Sequence, residues 1–140
     1  MILIKTKFET FYDKYSPMAY DIAIQIAPDI KQADEILNAT FTNAYHQNIE
    51  EQSFPPPFIS LIKILITTAE KLLNFKINKN SFNLRQFESF PMLQSLLCEN
   101  EPISIHCIKN KITREQVSIN LRAEILLLRK LHEENNLKST

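Results

Sequence analysis

Glycine is missing from all 140 residues of the chain. Glycine enters left-handed backbone conformations at no steric cost. Its absence removes the tight hairpin turns that antiparallel sheets rely on and the usual left-handed stop at a helix C-terminus. It also removes both Gly-rich phosphate cradles, the P-loop and the dinucleotide fingerprint. A helix closes its backbone hydrogen bonds within one segment and needs no such turn. The expected fold is therefore all-α, and enzyme classes built on a glycine loop are excluded.

Hydrophobic residues make up 44% of the chain, enough to bury a core and to argue against global disorder. The formal net charge is zero, so no overall field selects nucleic acid or membrane. The charge is uneven, however. Residues 1–57 hold four Lys and eight acids, net −4, whereas residues 58–140 hold twelve bases and eight acids, net +4. Such a division suggests two partner surfaces; the alternative is chance scatter in a short chain. Cys98 and Cys107 are too few for a disulfide framework and read as free thiols in a reducing compartment. Residues 1–8 lack the pattern of a signal peptide, and the most apolar run, Phe58–Ala69, is interrupted by Lys63 and falls short of the roughly 20 residues of a spanning helix. The expectation is a cytoplasmic, soluble protein with no membrane partner.

Phe8, Phe11, Tyr12, Tyr15, Ala19, Ile22, Ala23 and Ile26 recur at spacings of three and four, the stripe of an amphipathic helix. Ser16-Pro17 reads as an interruption or kink, and Pro28 as the stop. Asp29 with Gln32 is a capping-box pattern that opens a second helix over Ile30–Gln47, with Ile30, Ala33, Ile36, Leu37, Thr40, Phe41 and Ala44 on its stripe. Pro55–Pro57 cannot lie inside a helix but can open one, and Phe58–Asn78 reads as a third helix with Leu61, Ile62, Leu65, Ile66, Ala69, Leu72 and Leu73 at the centre of a small bundle. Beyond it, Leu84–Phe90 and Met92–Cys98 read as short helices, and Ile103–Ile108 alternates weakly, as an extended segment would. Thr113 with Gln116 caps a last helix from Arg114 to about Glu134, with Val117, Leu121, Ile125, Leu128 and Leu131 on one stripe. The expected organisation is a helical domain over residues 1–80 and a helical segment over 81–140.

Two segments carry more than generic periodicity. Phe8, Phe11, Tyr12, Tyr15, Pro17 and Tyr20 keep the spacing F-x-x-F-Y-x-x-Y-x-P-x-x-Y. Ala33, Asp34, Glu35, Ile36, Leu37, Asn38 and Phe41 form an acidic–apolar segment after the helix break. Together they resemble the start of region 2 in the extracytoplasmic-function group of sigma-70 factors, with the two acids swapped, Asn for the usual Gln and Ala39 for a Glu. The resemblance implies that the second helix docks on the coiled-coil of the largest subunit of core RNA polymerase. It would do so through Asp34, Glu35, Asn38 and Thr42. Carboxylates beside an amide suit charge-assisted contacts to arginine on a partner helix. The alternative is that Asp34 and Glu35 only complement the dipole of their own helix N-terminus.

In the third helix the apolar frame of the family survives at Phe58, Leu61, Ile62, Leu65 and Ile66. The Trp, Asn, Asp and Arg that such factors use to capture flipped promoter bases do not. Lys63, Lys71, Lys76 and Lys79 remain, with Phe75 and Phe82 nearby. These lysines suit sequence-independent phosphate contacts, or are simply a solvated face. At the C-terminus, Ile112–Val117 and Arg122–His132 are similar to parts of a region-4 helix-turn-helix, but only Ser118–Leu121 separates them. The expectation is a degenerate region 4, with residues 113–134 as one continuous helix and weakened or lost promoter recognition. Promoter DNA, an anti-sigma-like protein or a second copy are the further expected partners. The competing reading is a helical protein-interaction module on a sigma scaffold that binds no DNA.

Cys98, His106, Cys107 and His132 fit no standard zinc spacing, and no convincing acid–base pair emerges; Glu50-Glu51 and Glu133-Glu134 read as solvated. Catalytic residues, metal and cofactor are expected to be absent.

Overall fold

The computed structural model describes residues 6–53, 55–74 and 82–138, with side chains as far as residue 131. The fold is all-α, with no strand among the described residues. Contacts divide the chain into two units, Met1–Phe82 and Asn83–Thr140.

The first unit holds α1 (Lys7–Ile26), α2 (Ile30–His46) and α3 (Pro57–Leu73). Thr6 caps α1: its hydroxyl oxygen accepts the Glu9 amide at 3.1 Å and its O–H donates to the Glu9 carboxylate at 3.2 Å. This is the N-cap half of a capping box, Thr6-x-x-Glu9, with the Glu9 carboxylate held by the Thr6 hydroxyl rather than by its backbone amide. Pro17 sits inside α1 without ending it; it costs one backbone donor and leaves a single 20-residue helix rather than two. Asp29 accepts the Gln32 amide at 2.8 Å, as the sequence suggests, but the return limb of the box does not form: Gln32 Oε1 is buried without a hydrogen-bond partner among the described residues. Pro57 occupies the first turn of α3, where a missing N–H is harmless. Gln52 Nε2 ties the proline turn by donating to Pro55 O and Ser60 Oγ, each at 2.6 Å.

The three helices close on one another around Phe11, Ile22, Ile36, Leu61, Ile62 and Leu65. Ala19, Ala23, Ala33, Ala44 and Ala69 are fully buried and allow close helix approach. Truncating Leu65 to Ala there is worth about 2–5 kcal/mol. Three members of the expected stripes are corrected, the first being Tyr12 on α1, which is exposed. Ile30, in the first turn of α2, is 68% exposed, and Leu72, in the last turn of α3, is exposed too. The third helix also stops short of Asn78, because Asn74 turns left-handed at φ 57° and its amide returns to Glu70 O.

The second unit holds a 3-10 turn at Arg85–Phe87, α4 (Pro91–Leu93) running into a π turn at Gln94–Cys98, α5 (Ile103–Asn110) and α6 (Arg114–Lys138). The expected extended segment at Ile103–Ile108 is corrected: it is helical, and its only buried residue is His106. Phe87, Phe90, Leu93, Leu97, Val117 and Ile125 form the core. Glu124 binds α4 to α6, its carboxylate accepting the amides of Met92 at 3.1 Å and Leu93 at 3.0 Å. These are two of the donors that a helix start leaves without an internal partner. Thr113 accepts the Gln116 amide at 3.1 Å and opens α6, which runs unbroken through the segment expected to be one helix. On the expected stripe of α6, Val117 and Ile125 are buried, whereas Leu131 is exposed.

The left-handed positions fall to Asn48, Asn74, Asn100 and Lys111. Asparagine tolerates this region best among residues with a Cβ, which is how a glycine-free chain ends three of its helical stretches. Lys111 has no such advantage. Among the described residues no helix is long and apolar enough to cross a membrane.

Candidate protein-docking and nucleic-acid surfaces

Asp34, Glu35, Asn38 and Thr42 are all exposed. Their spacing places them along one side of α2, while Ala33, Ile36, Thr40 and Ala44 point into the core. Thr42 Oγ1 donates to Asn38 O at 2.8 Å, which commits its proton and leaves its lone pairs facing outward as acceptors. Beside this row lies an open groove of about 420 Å³ lined by Phe8, Tyr12, Asn38, Phe41, Thr42 and Tyr45. Phe41 is its buried floor. Tyr12 stands edge-on to Phe41 with ring centroids 4.6 Å apart, and Tyr45 edge-on to Phe8 at 5.1 Å. Phe8 and Tyr12 belong in the sequence to the α1 stripe and to the aromatic motif, and neither assigns them to an open groove. The available signal was the pair of i, i+4 aromatics, Phe8/Tyr12 and Phe41/Tyr45, on two successive helices. Lys7 Nζ meets Glu51 Oε2 at 3.0 Å in an exposed pair of little energetic weight. Glu50, expected to be solvated, is half-buried, and its Oε2 has no hydrogen-bond partner among the described residues.

Lys63 and Lys71 are exposed and line a second groove of about 320 Å³ between α2 and α3, together with Asn43, Gln47 and Thr67. The structure thus brings two of the four candidate phosphate-binding lysines together. Lys76, Lys79 and Phe75 lie outside the described residues. Phe82, near these lysines in sequence, is core at 2% exposure.

In the second unit, α5 and α6 are joined by Lys111, Ile112 and Thr113. Two helices on a turn of three residues have the connectivity of a helix-turn-helix. The turn is hidden in the sequence because Ile103–Ile108 alternates as an extended segment would, although it is helical. Arg114, Glu115, Gln116 and Ser118 are exposed at the N-terminal end of α6.

Of the residues whose spacing fits no zinc site, Cys98 is buried and Cys107 half-buried. Burial pushes the Cys98 thiol up to about 12, the opposite of what a metal ligand or nucleophile needs. Among the described residues no group of three or more His, Cys, Asp or Glu could hold a metal ion.

No family model matches the chain, and no curated protein and no solved structure matches it either.

Proposed function

We propose that this chain is a sigma-factor-like transcription protein rather than an enzyme, working in the cytoplasm and binding core RNA polymerase through α2. The observation that carries the reading is the exposed row Asp34, Glu35, Asn38 and Thr42, held over a buried core face of the same helix. Carboxylates on a rigid, well-packed helix are pre-organised for a basic partner helix and lose little side-chain freedom on docking. Single-strand promoter reading is weakened in this proposal, since α3 lacks Trp and offers Lys63 and Lys71 for phosphates without a stacking platform. Duplex contact falls to the first turns of α6, with Arg114 and Gln116 at the end of the second helix where a helix-turn-helix meets bases.

Retention of the full chain on immobilised core polymerase tests the proposal. The Asp34→Lys/Glu35→Lys double variant is expected to weaken retention at least about tenfold while the circular dichroism stays helical. A folded wild-type chain that is not retained removes the reading.

The second reading, a module that associates through protein contacts alone, is favoured by the exposed apolar residues of unit 2. These are Ile103, Ile105 and Ile108 on α5 and Ile119, Leu126, Leu127 and Leu131 on α6. Sedimentation that finds a stable dimer, with no affinity for polymerase or DNA, decides for it.

A further inference from the structure

We propose that the groove between α1 and α2 takes the guanidinium of one arginine on a basic partner helix, stacked between Tyr12 and Tyr45 over Phe41. The inference rests on the sigma-like reading for the identity of the partner, though not for the chemistry of the groove.

Three observations point to this occupant. The first is the aromatic surface left open: Tyr12 is 38% and Tyr45 57% exposed, although each packs edge-on to a ring beneath it. A cation near the face of such a ring is attracted by its quadrupole, and a planar guanidinium can stack there while its N–H fork reaches sideways. The second is the character of the polar wall. Asn38 offers an amide oxygen and Thr42 a hydroxyl whose proton is already given to Asn38 O, so acceptors line that side. The third is charge. Asp34 lies one helical turn before Asn38, and Glu35 one turn before Asn38 and two before Thr42, on the side of α2 that borders the groove. The stretch of residues 1–57 carries net −4. An apolar anchor would leave the acceptors and the carboxylates without partners. A lysine ammonium can also sit over a ring face, but it lacks the planar fork that stacks on the ring while reaching sideways to the acceptors.

The test has two arms on the full-length chain. In the first, N-acetyl-arginine methylamide is titrated against the protein by NMR, with the lysine, citrulline and leucine analogues as comparisons. Saturable shifts of the Tyr12, Tyr45 and Asn38 side-chain signals, larger for arginine than for the other three, are expected. An equal or greater response to lysine, citrulline or leucine, or none to arginine, overturns the arginine site. In the second arm, core polymerase binding is measured for Tyr12→Leu, Tyr45→Leu and Tyr45→Phe. The leucine variants should weaken it between about threefold and thirtyfold, with Tyr45→Phe near wild type because the ring remains. Polymerase binding that is indifferent to Tyr45→Leu removes the arginine from that interface while the sigma-like reading stands. A groove that takes arginine in a chain that ignores polymerase leaves the site in place and removes that reading.

Discussion

Glu101 and His106 share a hydrogen bond of 2.8 Å, from Nδ1 of the ring to Oε2 of the carboxylate, with both side chains nearly closed off from solvent. The other carboxylate oxygen lies 3.0 Å from Lys109 Nζ, and Asn110 Nδ2 donates to His106 O at 2.9 Å. The hydrogen bond from His106, then that from Lys109, hold the Glu101 carboxyl below its ordinary value of 4.5. A carboxyl whose pKa is depressed by folding stabilises the native state above its unfolded value, and that contribution is lost as pH falls through the folded value. Acid melting should therefore show a stability loss of unit 2 that begins below about pH 4.5. Glu101→Gln should flatten that limb and lower stability at neutral pH. Thermal melts followed by circular dichroism between about pH 3 and pH 7 check both; parallel curves for the two proteins would show that Glu101 is not the titrating group.

Glu124 ties two helices through the backbone amides of Met92 and Leu93. Glu124→Ala leaves those amides without their acceptor in a partly buried place, and a loss of about 1.5–3 kcal/mol is expected from urea unfolding. Glu124→Gln, which keeps one acceptor oxygen without the charge, should lose less.

Thr40 is fully buried on the core face of α2, and its hydroxyl oxygen has no hydrogen-bond partner among the described residues. Thr40→Val exchanges that hydroxyl for a methyl of similar shape. Stability should rise by about 1 kcal/mol, read as a higher urea midpoint at unchanged slope. A drop would mean that the hydroxyl is satisfied in solution.

Lys111 holds φ 54° at the C-terminal end of α5, where its amide returns to Cys107 O. A residue with a Cβ loses roughly 1–2 kcal/mol in this conformation. Lys111→Gly should raise the stability of unit 2 by about 0.5–1 kcal/mol after the greater freedom of glycine in the unfolded chain is subtracted. Differential calorimetry would reveal it, and an unchanged melting temperature would show that the turn relaxes in solution.

What could be read in advance followed from how strongly each segment obeyed its period. Phe11, Ala19, Ile22 and Ile26 repeat cleanly because only one face of α1 is buried, and Asp29 and Thr113 mark their helix starts because the capping oxygen must follow the backbone geometry there. In α5 the rule inverts. Ile103, Ile105 and Ile108 are exposed, Ile108 at 75%, and the buried position is His106, so the apolar residues trace the wrong face. That one inversion also concealed the turn between α5 and α6. The acidic row on α2 could be placed from spacing alone. The groove beside it could not, because it needs rings from two helices whose approach is a tertiary fact.

The left-handed corners at Asn48, Asn74, Asn100 and Lys111 have a consequence for the denatured ensemble. Every residue of this polypeptide carries a β-carbon, so each link of the uncoiled chain samples a narrower set of conformations than a bare one would. Order is reached from a less random starting point, and the opposing strain is concentrated at a few helix ends. Replacing these corners one by one would move that balance in both states at once, which makes them the natural handles for tuning how sharply the protein melts.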